Sequence, residues 1–123
     1  METSQFVVYF ILLLLILLQV RKYFTKKSLT NLSVAEVKQM LKENGNVVLL
    51  DVRTTQERKS GSIKPSIHIP LHEISHQTEQ LHKHKEKQII CYCQTGSRSV
   101  SAAIKLKKLG FNSANMLGGY SSW

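Results

Sequence analysis

Residues 88–110 read QIICYCQTGSRSVSAAIKLKKLG. The first six, Gln88–Cys93, form an apolar run typical of a strand that is buried on both faces of a parallel sheet. A polar loop that contains Gly96 follows, and the apolar spacing beyond it predicts a helix from about Ser99 to Leu109. A strand that continues through a short loop into a helix is the repeating unit of parallel α/β folds.

The segment before this unit shows the same alternation of strand and helix. Val47–Val52 is a second continuous run of apolar and β-branched residues. Two capping boxes of the form S/T-x-x-E, at Ser33–Glu36 and Thr54–Glu57, predict the starts of helices. The sequence therefore predicts an α/β fold over residues 29–123, with a small, mainly parallel central sheet flanked by helices.

The remaining stretches of the domain are shorter. Alternation of apolar and polar residues predicts short strands at 67–69 and 113–117, and helical spacing predicts a weak helix over 71–81. Ser28–Thr30 has the composition of a brief linker. The sequence shows no internal repeat, so these elements are assigned to one domain.

The first thirty residues differ in character from the domain. Phe6–Leu18 is an uninterrupted apolar run, and it predicts a helix over about residues 6–20. Four basic residues follow within 21–27 whereas none precede the run. The positive-inside rule therefore favours a single-pass anchor over residues 1–28, with the N-terminus outside and the domain in the cytoplasm. A cleaved signal peptide and a buried soluble helix are the alternatives, and the flanking residues disfavour both.

Charge and cysteine content narrow the classes of function. The 123-residue chain carries 17 Lys and Arg against 8 Asp and Glu, a formal charge of +9. A basic surface beside a membrane anchor is suited to contact anionic lipid. The sequence lacks the interleaved aromatic residues typical of a nucleic-acid surface, so no nucleic-acid partner is expected. Two cysteines are too few for a disulfide scaffold, and a cytoplasmic domain keeps Cys91 and Cys93 reduced.

Cys93 stands where a parallel α/β sheet places its ligand crevice, at the C-terminal end of a strand. The loop from Cys93 to Arg98 then enters a helix, whose first N–H groups are unpaired donors. Gly96 lets the backbone curl and Arg98 adds positive charge, so the loop favours a cysteine of lowered pKa that acts as a nucleophile. The structural alternative is that Cys93 is a small buried residue at a strand end.

Cys91 is interpreted as a core residue, and the alternative is a thiol that resolves an intermediate formed on Cys93.

A series of motifs, in the order expected, resembles the single-domain rhodanese (thiosulfate sulfurtransferase) family over residues 32–123. The matching residues are Asp51-Val52-Arg53 with Glu57, Gly61, Ile63 and Ile69-Pro70, then the loop Cys93–Arg98, and then Gly118-Gly119 with Trp123. Arg58, Ser62 and the pair Pro65-Ser66 depart from the residues that are usual in the family, and all of them lie outside the cysteine loop.

The resemblance implies a reaction and a set of site residues. It implies that Cys93 carries a persulfide, and that sulfur moves from thiosulfate or a persulfide donor to cyanide or a thiol, either a small thiol or an acceptor protein. The residues that would bind the sulfur are Gln94, Thr95, Gly96, Ser97, Arg98 and Ser99. Asp51 and Arg53 follow or end the first predicted buried strand, near the same crevice, and with Glu57 they are expected to be supporting residues. Arg53 is expected to pair with Glu57 and to brace the loop as a fixed ion pair without direct substrate contact.

The length of the cysteine loop bears on the substrate. Related phosphatases and arsenate reductases have a loop one residue longer, so the six residues Cys93–Arg98 favour sulfur transfer. Arg98 is expected to steer the anionic donor and to stabilise the leaving charge. The expected chemistry needs no metal or organic cofactor. His72 and His76 are spaced as a zinc pair on a helix, but no clear third and fourth ligands accompany them, so they are interpreted as surface histidines. The alternative function is a membrane-tethered persulfide carrier or redox-sensing interaction module without efficient turnover.

Overall fold

The computed structural model describes residues 2–43 and 45–123, apart from the side chains of residues 25–27, so Met1 and Asn44 lie outside it. The elements in chain order are α1 Glu2–Lys27, β1 Thr30–Leu32, α2 Val34–Glu43, β2 Val47–Asp51, α3 Thr55–Lys59, β3 Ile67–His68, α4 Glu79–His82, β4 Gln88–Tyr92, α5 Arg98–Lys108 and β5 Ser113–Met116. Short 3₁₀ helices span Leu71–His76 and Tyr120–Ser122.

The strands form one sheet in which every described pairing is parallel. Its order is β1-β5-β4-β2-β3, so β4 lies at the centre between β5 and β2. The register of β2 against β4 pairs Asp51 with Tyr92, which brings the C-terminal ends of the two strands level. The predicted α/β fold with a mainly parallel sheet is confirmed. The residues that follow these two strands meet at one edge, where such sheets bind ligands.

Each face of the sheet carries its own hydrophobic cluster. The cluster that joins α5 to the sheet includes the fully buried residues Leu50, Ile89, Cys91, Ala102 and Leu106. The cluster that joins α2 to the opposite face includes the buried residues Val37, Leu49, Ile90, Tyr92 and Met116. Burying a side chain such as leucine contributes about 1.5–3 kcal/mol. Cys91 is 0% exposed, so the structure places it in the core, in agreement with the interpretation from the sequence.

Both predicted capping boxes are present. The N–H of Glu36 donates to Ser33 Oγ at 3.1 Å, and the N–H of Ser33 donates to the Glu36 carboxylate at 3.0 Å. Thr54 and Glu57 make the same exchange before α3. Each box satisfies donors that the start of a helix leaves unpaired, so α2 and α3 begin where the motifs predict.

Two local expectations are wrong. Thr30, expected to lie in a linker, begins the edge strand β1, which pairs with β5 in the register Thr30↔Ala114 and Asn31↔Asn115. A strand of three residues has no apolar pattern of its own, so its formation depends on the open edge of β5. The single weak helix expected over 71–81 is divided into a 3₁₀ helix and α4.

The first helix, α1, is longer than the helix expected over residues 6–20. Neither flank contains proline or glycine, so the helix continues through the polar residues at both ends. Its stretch Glu2–Phe24 has 23 residues and a mean hydropathy of 2.2, which is long and apolar enough to cross a membrane. Apolar side chains along it are exposed, for example Phe6 at 71% and Leu12 at 50%.

Candidate active site

Cys93 lies one residue beyond β4, beneath the loop that leads into α5. Its side chain is 0% exposed. The N–H of Gly96 donates to Sγ at 3.0 Å, and the backbone N–H groups of Ser99 and Thr95 also lower the pKa of the Cys93 thiol. The Ser99 N–H is available because the first donors of a helix have no carbonyl partner within it, and the N–H groups of Thr95 and Gly96 belong to the loop before α5. The loop therefore surrounds the sulfur with hydrogen-bond donors.

The donors change the acidity of Cys93. Burial raises the pKa of its thiol, but the hydrogen bonds that the thiolate form accepts from the Ser99 hydroxyl and from the N–H groups of Ser99, Gly96 and Thr95 outweigh the effect of burial. The pKa of Cys93 consequently lies below the usual cysteine value. At Cys91, burial and the neighbouring Cys93 raise the pKa far above that value. The site therefore contains one activated thiol and one inert thiol.

The C-terminal segment holds the loop from behind. Tyr120 N–H donates to the Cys93 carbonyl at 2.8 Å, and Ser121 N–H donates to the Gln94 carbonyl at 3.0 Å. Gly119 has φ +62°, and a Cβ there would lie 2.5 Å from the Cys93 carbonyl oxygen. Only glycine allows this close approach at positive φ, so the Gly118-Gly119 motif serves to seat the cysteine loop.

Arg53 is buried with Asp51, and this pair supports the loop from below. Two guanidinium nitrogens of Arg53 donate to the two carboxylate oxygens of Asp51, at 2.9 and 3.1 Å. Burial raises the pKa of the Asp51 carboxyl, but the hydrogen bonds and charge of Arg53 outweigh it and lower the pKa. The third nitrogen of Arg53 donates to Gln94 Oε1 at 3.1 Å, so the pair is joined to the first loop residue after Cys93.

The expected pairing of Arg53 with Glu57 is wrong. Glu57 instead binds Arg98 through both carboxylate oxygens, at 2.7 and 2.8 Å. Arg53 turns inward because both its side chain and its N–H bind Asp51, two residues earlier, while the first turn of α3 directs Glu57 toward the loop. Hydrogen bonds from Arg98, opposed by desolvation and assisted by Thr54, lower the pKa of Glu57 to about 2. A partly exposed ion pair therefore lies at the rim of the site.

Two departures from the family pattern contact each other. Arg58 donates to Ser66 Oγ at 3.0 Å and to the Ser66 carbonyl at 2.9 Å. It also donates to Asp51 Oδ2 at 3.2 Å, so the buried carboxylate binds two arginines. Arg58 and Ser66 thus depart from the family pattern together and bind each other. The site contains three guanidinium groups, which pair with the carboxylates of Asp51 and Glu57.

Asn115 and Asn31 were not singled out in the sequence. Ser99 Oγ lies 3.4 Å from Cys93 Sγ and donates to Asn115 Oδ1 at 2.6 Å. Asn115 Nδ2 donates in turn to Asn31 Oδ1 at 3.0 Å. Asn115 is 1% exposed, and a buried asparagine inside a short strand is the one signal that could have identified it from the sequence.

The structure brings most of the predicted site residues together, though not all of them face the sulfur. Thr95 and Ser97 have exposed side chains at the outer surface of the loop. Within residues 2–43 and 45–123, no three His, Cys, Asp or Glu side chains are grouped as metal ligands, and His72 and His76 belong to no such group.

Comparison with known proteins gives consistent matches. The model of the rhodanese-like domain matches residues 33–123. A sulfurtransferase from Allochromatium vinosum is 30% identical over 86 residues, which cover 69% of this chain and 78% of that protein. The crystal structure of a rhodanese-related protein from Thermoplasma volcanium shares 32% identity and a TM-score of 0.69, covering 76% of this chain and 89% of that one. A tRNA uridine(34) hydroxylase from Buchnera aphidicola is 34% identical over 94 residues, 73% of this chain but 30% of that protein.

Proposed function

This chain belongs to the rhodanese-like domain family, and on that premise we propose that it is a sulfurtransferase that carries sulfur as a persulfide on Cys93. The observation that carries the proposal is the Cys93 sulfur, surrounded by loop donors that lower its pKa. Proteins that contain this domain differ in function, since one relative is a tRNA uridine(34) hydroxylase of which the chain covers 30%. Family membership alone therefore does not determine the activity, and the proposal depends on the cysteine loop.

The first half of the reaction loads the sulfur. The Cys93 thiolate attacks the outer sulfur of thiosulfate, a new S–S bond forms, and the S–S bond of thiosulfate breaks as sulfite leaves with the electron pair. A persulfide donor reacts in the same way and releases a thiolate. The loop N–H groups that surround the Cys93 sulfur in the structure are suited to stabilise the negative charge of the persulfide.

The second half returns the enzyme to its starting state. Cyanide or an acceptor thiolate attacks the outer sulfur of the persulfide, and the Cys93 thiolate leaves with the electron pair. The products are thiocyanate or a new persulfide, and neither step requires an external oxidant or reductant. The lowered pKa of Cys93 assists both steps, because the thiolate is the nucleophile in the first and the leaving group in the second.

Charge around the loop is compatible with an anionic donor. The three arginines Arg53, Arg58 and Arg98 balance the carboxylates of Asp51 and Glu57 and the thiolate of Cys93, so the site carries no net negative charge that would repel an anion. A thiosulfate ion competes with Glu57 for the partly exposed Arg98. Arg98 therefore steers the donor after release from its ion pair, not as a free cation.

The N-terminal helix α1 serves as a membrane anchor for this activity. The apolar stretch Glu2–Phe24 and the basic Arg21 and Lys22 near its end support a single span, with the N-terminus outside and the domain in the cytoplasm.

Protease treatment of right-side-out vesicles tests this orientation. A tag placed before residue 1 should be removed, whereas the domain should be protected, and the reverse result would overturn the orientation.

A turnover assay tests the proposed activity. The full chain in detergent micelles is supplied with thiosulfate and cyanide, and thiocyanate is measured over time. We expect sustained production by the wild type and by Cys91→Ala, the matched control in the same strand, and none by Cys93→Ala. A single burst without further turnover would favour the persulfide carrier, and activity that survives Cys93→Ala would refute the proposed mechanism.

A further inference from the structure

A line of polar side chains runs from Cys93 to the edge of the sheet. It passes from Cys93 Sγ to Ser99 Oγ at 3.4 Å, to the Asn115 amide at 2.6 Å, and to the Asn31 amide at 3.0 Å. Cys93, Ser99 and Asn115 are buried, whereas Asn31 is exposed on β1. The line thus connects the buried sulfur to a surface position on the strand that begins three residues after the last residue of α1.

The direction of the hydrogen bonds in this line is fixed when Cys93 is a thiol. Ser99 has one hydroxyl proton, and it is donated to Asn115 Oδ1. Ser99 Oγ can therefore only accept from the side of Cys93, and the thiol proton is the available donor. Asn115 Nδ2 then donates outward to Asn31 Oδ1, so every bond in the line points toward the surface.

Loss of the thiol proton reverses this direction. The thiolate accepts hydrogen bonds only, so Ser99 must turn its proton toward the sulfur. Two acceptors, Ser99 Oγ and Asn115 Oδ1, would then face each other, unless the Asn115 amide rotates by half a turn and presents Nδ2. Asn31 must rotate in the same way, because Asn115 Oδ1 now needs a donor. The oxygen and nitrogen of an amide have similar size, so neither rotation displaces the chain.

We propose that Ser99, Asn115 and Asn31 form a relay of hydrogen bonds whose direction reverses when Cys93 passes from thiol to thiolate or persulfide. Asn115 and Asn31 are positioning residues in this relay, because they act on Cys93 through Ser99. The proton of Cys93 leaves to solvent, and the relay carries no net proton. The inference rests on the proposed function only in that Cys93 is the reactive thiol.

Other titratable and charged groups around Cys93 are not links in the line. Cys91 lies on β4, and burial together with the charge of Cys93 raises its pKa. Arg98 at the start of α5 interacts with Cys93 by charge and is bound by Glu57 from α3. Asp51 at the end of β2 is bound by Arg53. The relay reaches the sulfur through neutral groups, so its effect can be separated from those of these charges.

An acceptor-only residue at the outer end of the relay tests it. In Asn31→Asp the carboxylate holds Asn115 Nδ2 toward the surface, which keeps the Ser99 proton on Asn115 and away from the sulfur. Thr30→Asp is the matched control, since it adds the same charge at the neighbouring exposed position of β1 without a bond to Asn115. The reactivity of Cys93 is measured as the rate of iodoacetamide alkylation against pH, on the full chain in detergent micelles, with tandem mass spectrometry to assign the label.

We expect Asn31→Asp to move the midpoint of the alkylation profile upward by about one pH unit, the size that one charge-assisted hydrogen bond supports. Thr30→Asp should move it by much less, and the effect of Asn31→Asp should vanish in a Ser99→Ala background. Equal shifts in the two aspartate variants, no shift in Asn31→Asp, or an unchanged shift without Ser99 would each overturn the relay. The alkylation profile needs no sulfur donor, so a protein that shows the relay but fails to load sulfur would refute only the proposed function.

Discussion

Replacing Glu57 with glutamine tests the electrostatics at the rim of the site. Glu57→Gln removes the carboxylate that binds Arg98 through contacts of 2.7 and 2.8 Å. The shift of the Glu57 pKa from 4.5 to about 2 sets an upper bound of about 3 kcal/mol on the interaction. Because the Arg98 and Glu57 side chains are 35% and 30% exposed, solvent screens the pair, and we expect the free energy of unfolding to fall by about 1 kcal/mol.

The sign of the pH dependence follows from the lowered pKa of Glu57. The folded state favours the carboxylate, so its contribution is complete above a pH of about 4.5 and is lost as the pH falls toward 2. The difference in unfolding free energy between the wild type and Glu57→Gln should therefore shrink across this window. A difference that stays constant between these pH values would refute the ionic origin of the stabilisation.

Urea unfolding of the full chain in detergent micelles provides the measurement. Trp123 is the single tryptophan, and Lys38 Nζ lies 4.9 Å from the centre of its ring, so its fluorescence reports on the folded domain. Glu36→Gln is the matched control, because Glu36 completes the capping box of α2 as Glu57 does for α3. Equal losses in the two variants would assign the whole effect to capping.

The same variant should also change the reactivity of Cys93. Without the Glu57 carboxylate, the charge of Arg98 is uncompensated, and an anionic reagent should be attracted more strongly. We expect the alkylation rate with iodoacetate, relative to neutral iodoacetamide, to rise a few-fold in Glu57→Gln at low salt. An unchanged ratio of the two rates would contradict the proposed role of Arg98 in steering the donor.

Three further predictions concern the loop and its supports. Gly119→Ala should lower the unfolding free energy by about 2 kcal/mol and impair thiocyanate formation, since its Cβ would press on the Cys93 carbonyl at positive φ. Gly45→Ala, where nothing lies within 4 Å of the added Cβ, should have an effect within about 0.5 kcal/mol. Ser99→Ala should raise the alkylation midpoint of Cys93 by about one pH unit, because the thiolate loses a donor. Arg53→Lys should cost about 3 kcal/mol in urea unfolding, because the buried pair loses its forked contacts.

The sheet and the cysteine loop were predictable because their signals are local. Val47–Asp51 and Gln88–Tyr92 are continuous apolar runs, and the capping boxes before α2 and α3 require only neighbouring residues. The edge strand Thr30–Leu32 was not predictable in this way. Its formation depends on pairing with β5, which is more than eighty residues away in the chain.

Side-chain partners at the site were harder to predict than its backbone. Arg53 and Glu57 are four residues apart and carry opposite charges, which made their pairing plausible from the sequence. The end of β2 instead directs Arg53 inward onto Asp51, and Glu57 reaches Arg98, forty-one residues away. The contact between Asn115 and Asn31 likewise depends on the register of two strands that no local pattern specifies.

The helix α1 was predictable in kind but not in extent. A long apolar run predicts the centre of this helix, whereas the ends of a helix are set by where helix-breaking residues occur. Because the flanking residues permit helix, α1 extends over Glu2–Lys27.

Intact mass tests most directly whether Cys93 accepts a sulfur atom. The full chain is reduced in detergent micelles, exposed to thiosulfate, and compared with Cys91→Ala and Cys93→Ala treated in parallel. We expect the wild type and Cys91→Ala to gain the mass of one sulfur, which cyanide then removes, and Cys93→Ala to gain none. A wild-type protein that gains no sulfur from thiosulfate or from a persulfide donor would contradict the proposed function.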